Sequence, residues 1–132
     1  MDTNPAVIKS LQNGRVHIVE PGLQEVVTQV ILEKRLSFSS QPEPADAFSV
    51  AVPTPFKDGK KADMRFVESA AQSIAPVLAP GNLVVLESTS PPGTTDHLLK
   101  EILEQTGMKA GVDFYLVYSP ERVLPGKILV EL

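Results

Sequence analysis

Three proline-punctuated strings hold the side chains best suited to act on a ligand: Ala51-Val52-Pro53-Thr54-Pro55, Glu87-Ser88-Thr89-Ser90-Pro91-Pro92-Gly93 and Ser119-Pro120-Glu121-Arg122. Each sets a hydroxyl or a charge beside proline, which limits loop entropy and removes an N–H that would otherwise need a partner. Such loops can hold a polar group in place. If the strands ahead of them run parallel, the loops share one sheet edge, where helix N-termini favour anionic ligands. For any one loop the alternative is that its prolines only end a strand. Cysteine is absent, which excludes a thiolate nucleophile, a disulfide framework and a thiolate metal site within these residues. His17 and Glu20 stand three apart with no third ligand nearby, too few for a metal centre, and no metal is expected.

The elements that must position these loops follow from periodicity. Asn4 can cap a helix that starts at Pro5 and turns Val7, Ile8 and Leu11 to one face before Asn13-Gly14 stops it. After a loop from Arg15 to Gly22, Leu23, Val26, Val27, Val30 and Ile31 keep a helical period that ends near Lys34-Arg35. The alternation over Leu36 to Ser39 predicts a short strand. Ala47 to Val52 reads as a buried strand stopped by Pro53, and a loop rich in Lys, Asp and Gly follows. A helix from Asp63 turns Val67, Ala70, Ala71, Ile74 and Leu78 inward, with Pro76 disturbing its last turn. Leu83 to Leu86 is a strand, Thr94 or Thr95 caps a helix with Leu98, Leu99, Ile102 and Leu103 inward, and Phe114 to Tyr118 is the last strand. His97 falls on the polar side of that helix. Alternating strands and helices with long crossovers predict an open, doubly wound parallel sheet.

With 132 residues the chain fits one domain. Its net charge of −4, with no basic cluster beyond the Lys60-Lys61 pair, argues against nucleic acid as a partner. No apolar run is long enough to span a bilayer, and Asp2, Asn4 and Pro5 do not make a signal segment, so a cytoplasmic location and no membrane partner are expected.

The strings "VHIVEPGL", "AVPTPFK", "DMRFVESAAQSIAPVL", "NLVVLESTSPPGTT" and "YSPERVLPGKILVEL" resemble the NAD-binding domain of the UDP-glucose/GDP-mannose dehydrogenase family over nearly the whole chain, most closely its UDP-N-acetylmannosamine-oxidising branch. The resemblance implies a Rossmann-like α/β sheet, with residues 1–132 forming part of an NAD-binding domain. It further implies NAD-dependent oxidation of a UDP-sugar at its C6 alcohol to a carboxylate, in two hydride transfers through a cysteine-bound thiohemiacetal. By the same resemblance Asp2 matches the acid that hydrogen-bonds the adenosine ribose, where a carboxylate favours NAD over NADP. Thr54 and Thr89 match hydroxyls beside the dinucleotide, Thr89 near the reacting centre, where it could orient a water. Glu121 matches a glutamate at that centre, able to handle a proton if partial burial raises its pKa. Arg122 and Val123 match positions that approach the nucleotide sugar. Without the resemblance, Asp2 reads as a frayed terminal charge, the threonines as turn residues and Glu121-Arg122 as a solvated loop pair.

Two departures bear on activity. The sequence contains no G-x-G-x-x-G turn, whose backbone would approach the pyrophosphate, and it begins at about the end of the second family strand, so the doubly wound sheet is expected to be incomplete. The family's catalytic cysteine, lysine, asparagine and aspartate correspond to positions beyond Leu132. The expectation is a dehydrogenase fragment inactive alone. The alternative is a non-catalytic α/β module that forms homo-oligomers, or binds a partner, through exposed sheet edges.

Overall fold

The computed structural model describes residues 1–57, 59, 61–123, 126 and 129; Asp58, Lys60 and the remainder of the last motif fall outside the described residues. Two compact units make up the chain: residues 1–42 with 122–132, and residues 43–121.

The first unit contains helices α1 (Pro5–Gln12) and α2 (Leu23–Leu32). Asn4 caps α1 as its sequence predicts, accepting the Ala6 N–H at 2.9 Å, with Pro5 at the first helical position, where its missing N–H costs nothing. The two helices end by the same device. Gly14 N–H donates to the Leu11 carbonyl and Arg15 N–H to that of Ser10; Lys34 N–H likewise donates to Ile31 and Arg35 N–H to Val30. This pairing needs a left-handed residue after the cap, which α1 supplies as glycine (φ 70) and α2 as Lys34 (φ 57). Leu36 to Ser39 does not form the expected strand. Asp2 N–H donates to the Ser39 carbonyl, but no ladder forms among the described residues, and alternation without a paired neighbour cannot define a strand. None of the described residues of this unit is buried.

The second unit is a three-stranded parallel sheet with helices on one face. Strands β1 (Ala47–Val50), β4 (Leu83–Leu86) and β5 (Tyr115–Tyr118) lie in the order β1-β4-β5, in register Phe48 to Val84 and Val84 to Leu116. A two-stranded hairpin, β2 (Phe56–Lys57) with β3 (Lys61–Ala62), replaces the loop expected after the second proline. Helix α3 (Arg65–Ile74) starts two residues after Asp63, buries Val67, Ala71 and Ile74 at helical spacing, and tightens into a 3₁₀ turn over Ala75–Val77, where Pro76 interrupts the ladder. The next helix opens on Gly93 (φ 84) and runs as a π-helical turn over Thr94–Leu99 into α4 (Lys100–Glu104). Neither threonine caps it: the Thr94 hydroxyl donates to the Pro91 carbonyl, so this side chain serves the proline turn and the left-handed glycine makes the entry.

Sheet and helices share a single core of Phe48, Val50, Val67, Ala71, Ile74, Leu78, Val84, Leu86, Leu99, Leu103 and Phe114. On the opposite face Ala47, Ser49, Tyr115 and Val117 are exposed, with Leu83 and Val85 half-buried. Among the described residues no helix is long and apolar enough to cross a membrane.

Candidate functional site

The three strands are parallel, so the loops following Val50, Leu86 and Tyr118 leave the same edge of the sheet. Thr54, Thr89 and Glu121 therefore lie beyond the carboxyl ends of adjacent strands, where helix N-termini and loops gather in this architecture.

The first two loops are fastened together. At the end of β1 the Val50 carbonyl accepts both Glu87 N–H (3.0 Å) and Ser88 N–H (3.2 Å). The next β4-facing residue of β1 is Val52, but the backbone N–H groups of Glu87 and Ser88 are both spent on Val50. Hydroxyls take over. Ser88 Oγ, buried at 8 % exposure, accepts the Val52 N–H at 2.7 Å and donates to the Val52 carbonyl at 2.8 Å. One residue further, Thr54 Oγ1 donates to the Thr89 carbonyl at 2.7 Å. Among the described residues the Thr89 hydroxyl has no hydrogen-bond partner, and Thr89 is exposed while Thr54 is half-buried.

The far end of the first loop is held by Asp63, whose N–H donates to the Pro55 carbonyl at 2.7 Å. Its side chain, only 4 % exposed, receives Arg65 Nη2 at 2.6 Å and Lys57 Nζ at 2.9 Å, and also accepts the Arg65 N–H. The Arg65 guanidinium, aided by Lys57, holds this carboxyl far below the usual carboxylate range, and the burial that opposes the shift is the smaller effect. Asp63 therefore ties hairpin, loop and helix start into one knot.

In the third loop Ser119 N–H donates to the Leu86 carbonyl, and Glu121 follows in an exposed position. Arg122 is exposed and Val123 half-buried; both belong to the first unit. Asp2, also in that unit, is not a frayed end: its Oδ1 accepts the Asn4 N–H at 2.7 Å, which leads the chain into α1. Glu20 accepts the Gly126 N–H at 2.7 Å, and among the described residues no cluster of His, Cys, Asp and Glu could hold a metal ion. His97 is exposed, as its place on the helix predicts.

Sequence reasoning picked out both threonines but missed Ser88 and the Asp63 knot. A serine two residues after the end of a strand was the available signal for the first. Two shallow depressions, one lined by Gln72, Ala75, Pro76, Ile102, Gln105 and Thr106 and one by Phe56, Lys57, Lys61 and Arg65, include neither threonine.

Comparison with known proteins gives a consistent result. The family model for the UDP-glucose/GDP-mannose dehydrogenase family, NAD binding domain, matches residues 1–132. A UDP-N-acetyl-D-mannosamine dehydrogenase of Yersinia pestis is 46% identical over the whole chain, and an NDP-N-acetyl-D-galactosaminuronic acid dehydrogenase of Ralstonia nicotianae is 44% identical. The chain spans about a third of the length of each, 33% in both cases. Among solved structures, the UDP-N-acetyl-mannosamine dehydrogenase Cap5O from Staphylococcus aureus superposes with a TM-score of 0.95 at 47% identity, covering 99% of this chain and 32% of that one.

Proposed function

Because the chain belongs to the UDP-glucose/GDP-mannose dehydrogenase family, as its NAD-binding domain, we propose that it holds part of the NAD site of an enzyme that oxidises the C6 alcohol of UDP-N-acetyl-D-mannosamine to the carboxylate. In this reading NAD supplies the hydride acceptor, and the residues of this chain bind and orient. The observation that carries it is the Thr54–Thr89 link at the carboxyl edge of parallel strands, which presents two hydroxyls from a pre-set surface.

The donor set suits a dinucleotide. Thr54 has committed its proton to Thr89 and meets a ligand as an acceptor, while the Thr89 hydroxyl can both donate and accept and is assigned to orienting a water. Asp2 keeps Oδ2 for a ribose hydroxyl while Oδ1 holds Asn4; a 2′-phosphate there would face like charge, so NAD is preferred to NADP. Glu121 is assigned to proton transfer and Arg122, with Val123, to the nucleotide sugar, where a guanidinium matches a diphosphate. Preference for the mannosamine sugar rests on relatives whose printed substrates differ from one another. A cytoplasmic location follows from this activity.

The test is a calorimetric titration of the folded chain with NAD and NADP. Millimolar or tighter NAD binding, weakened by Asp2→Ala and poorer for NADP, is expected. A folded chain that gives no heat with NAD would remove the cofactor-site reading. In its place would stand an association module acting through an exposed sheet edge, favoured by the exposed Tyr115 and Val117 of the edge strand β5, and size-exclusion chromatography would then report a homo-oligomer.

A further inference from the structure

We propose that Ser88 is a positioning residue for the cofactor: its buried hydroxyl extends the β1–β4 pairing to Val52, just ahead of the prolines, and so sets the alignment of Thr54 against Thr89. The proposal rests on the assignment of those two threonines to the dinucleotide. A parallel ladder needs an N–H and a carbonyl from each strand in turn, and after Val50, whose carbonyl takes both the Glu87 and the Ser88 N–H, the next β4-facing residue is Val52. Ser88 stands in for the missing backbone. Its single hydroxyl satisfies both polar groups of Val52, at 2.7 and 2.8 Å, as a neighbouring strand would. The next rung runs the other way, from the Thr54 side chain to the Thr89 backbone. Each loop thus lends the other one side chain. Ser88 is the inner member, screened from water, and Thr54 the outer one, at the ligand's edge.

Losing the inner rung leaves the half-buried Val52 N–H and carbonyl without a partner, and the loop must shift to hydrate them fully. The shift moves Thr54 relative to Thr89, while Asp2 and its surroundings in the first unit keep their hydrogen bonds. Binding at the threonines should therefore suffer while binding at Asp2 does not.

The experiment compares the wild-type chain with Ser88→Ala and Ser88→Thr, titrating each with NAD and separately with AMP, alongside thermal unfolding. The expected result for Ser88→Ala is a Kd for NAD raised about tenfold, the equivalent of one to two hydrogen bonds, with the Kd for AMP unchanged. Ser88→Thr, which keeps the hydroxyl, should retain NAD affinity. Equal weakening of NAD and AMP would mark a merely structural role and overturn the proposal, as would NAD affinity equal to wild type in Ser88→Ala, or loss of it in a folded Ser88→Thr. A wild-type chain that binds AMP but not NAD would remove the assignment of the threonines and the proposal with it. Should Ser88→Ala fail to fold, Ser88→Cys fills the same space with a poor hydrogen-bonding group and the same selective loss for NAD is expected.

Discussion

The Thr54 hydroxyl donates to the Thr89 carbonyl at 2.7 Å across the two loops that follow β1 and β4. That bond fixes the polarity with which Thr54 can meet a ligand. Thr54→Val keeps the shape and removes the link; it should weaken NAD binding by about 0.5–1.5 kcal/mol, or two- to tenfold, whereas Thr54→Ser should stay near wild type. Titration calorimetry decides, and equal affinities for the valine and serine variants would show that the hydroxyl is not used.

Asp63 sets an acid limit. Its carboxyl lies far below the usual range because Arg65 and Lys57 favour the charged form, so it stabilises the folded state fully above the unfolded value of about 3.9. As the pH falls below that value the contribution is lost, and it is gone once the folded group protonates. Urea unfolding between about pH 5 and pH 2 should show stability falling steeply in the wild type and less steeply in Asp63→Asn. Parallel acid limbs in the two proteins would mean that the knot contributes nothing to folding.

Lys34 occupies a left-handed position that α1 gives to glycine. Lys34→Gly should raise the stability of α2 by about 0.5–1 kcal/mol, while Lys34→Ala, which keeps the Cβ in the same backbone, should not. Amide exchange at position 34 and at Arg35, whose N–H groups donate the closing bonds to Ile31 and Val30, is the local measure. Faster exchange in the glycine variant would contradict the strain argument.

At Gly93 (φ 84) an added Cβ would sit 3.0 Å from His97 Cδ2. His97 is exposed and can rotate away, so the cost of Gly93→Ala is assigned to the backbone, about 1–2 kcal/mol. The double variant Gly93→Ala with His97→Ala should lose as much as the single one. Recovery in the double variant would mean that the clash, not the dihedral, was the cause.

Much of the sheet was legible from the sequence because its signals were local. Leu83–Leu86 is an uninterrupted apolar run bounded by Gly81 and the hydroxyl-rich loop, and Asn4-Pro5 is a cap followed by a residue that suits the first helical turn. The loops that carry Thr54 and Thr89 were legible for the same reason, as hydroxyls set among prolines at strand ends, whereas a cofactor role for the two threonines came only from the family resemblance. What was missed depends on partners distant in sequence. The Ser88 hydroxyl reaches Val52 across 36 residues, and the alternation of Leu36 to Ser39 predicted a strand without saying what it would pair with. The hairpin β2–β3 is two residues to a side, too short for alternation to register, and Asp63 with its two cations holds it in place.

The placement of the core in one unit has a calorimetric consequence. Every buried apolar side chain of the described residues belongs to residues 43–121, and none to α1 or α2. The heat absorbed in a cooperative transition scales with the chain that melts together. Near 60 °C the main endotherm should therefore be about 55 kcal/mol, the share of residues 43–121, not the roughly 90 kcal/mol of a chain melting throughout. The helices of the first unit should contribute a broad, low-temperature baseline slope instead of a peak.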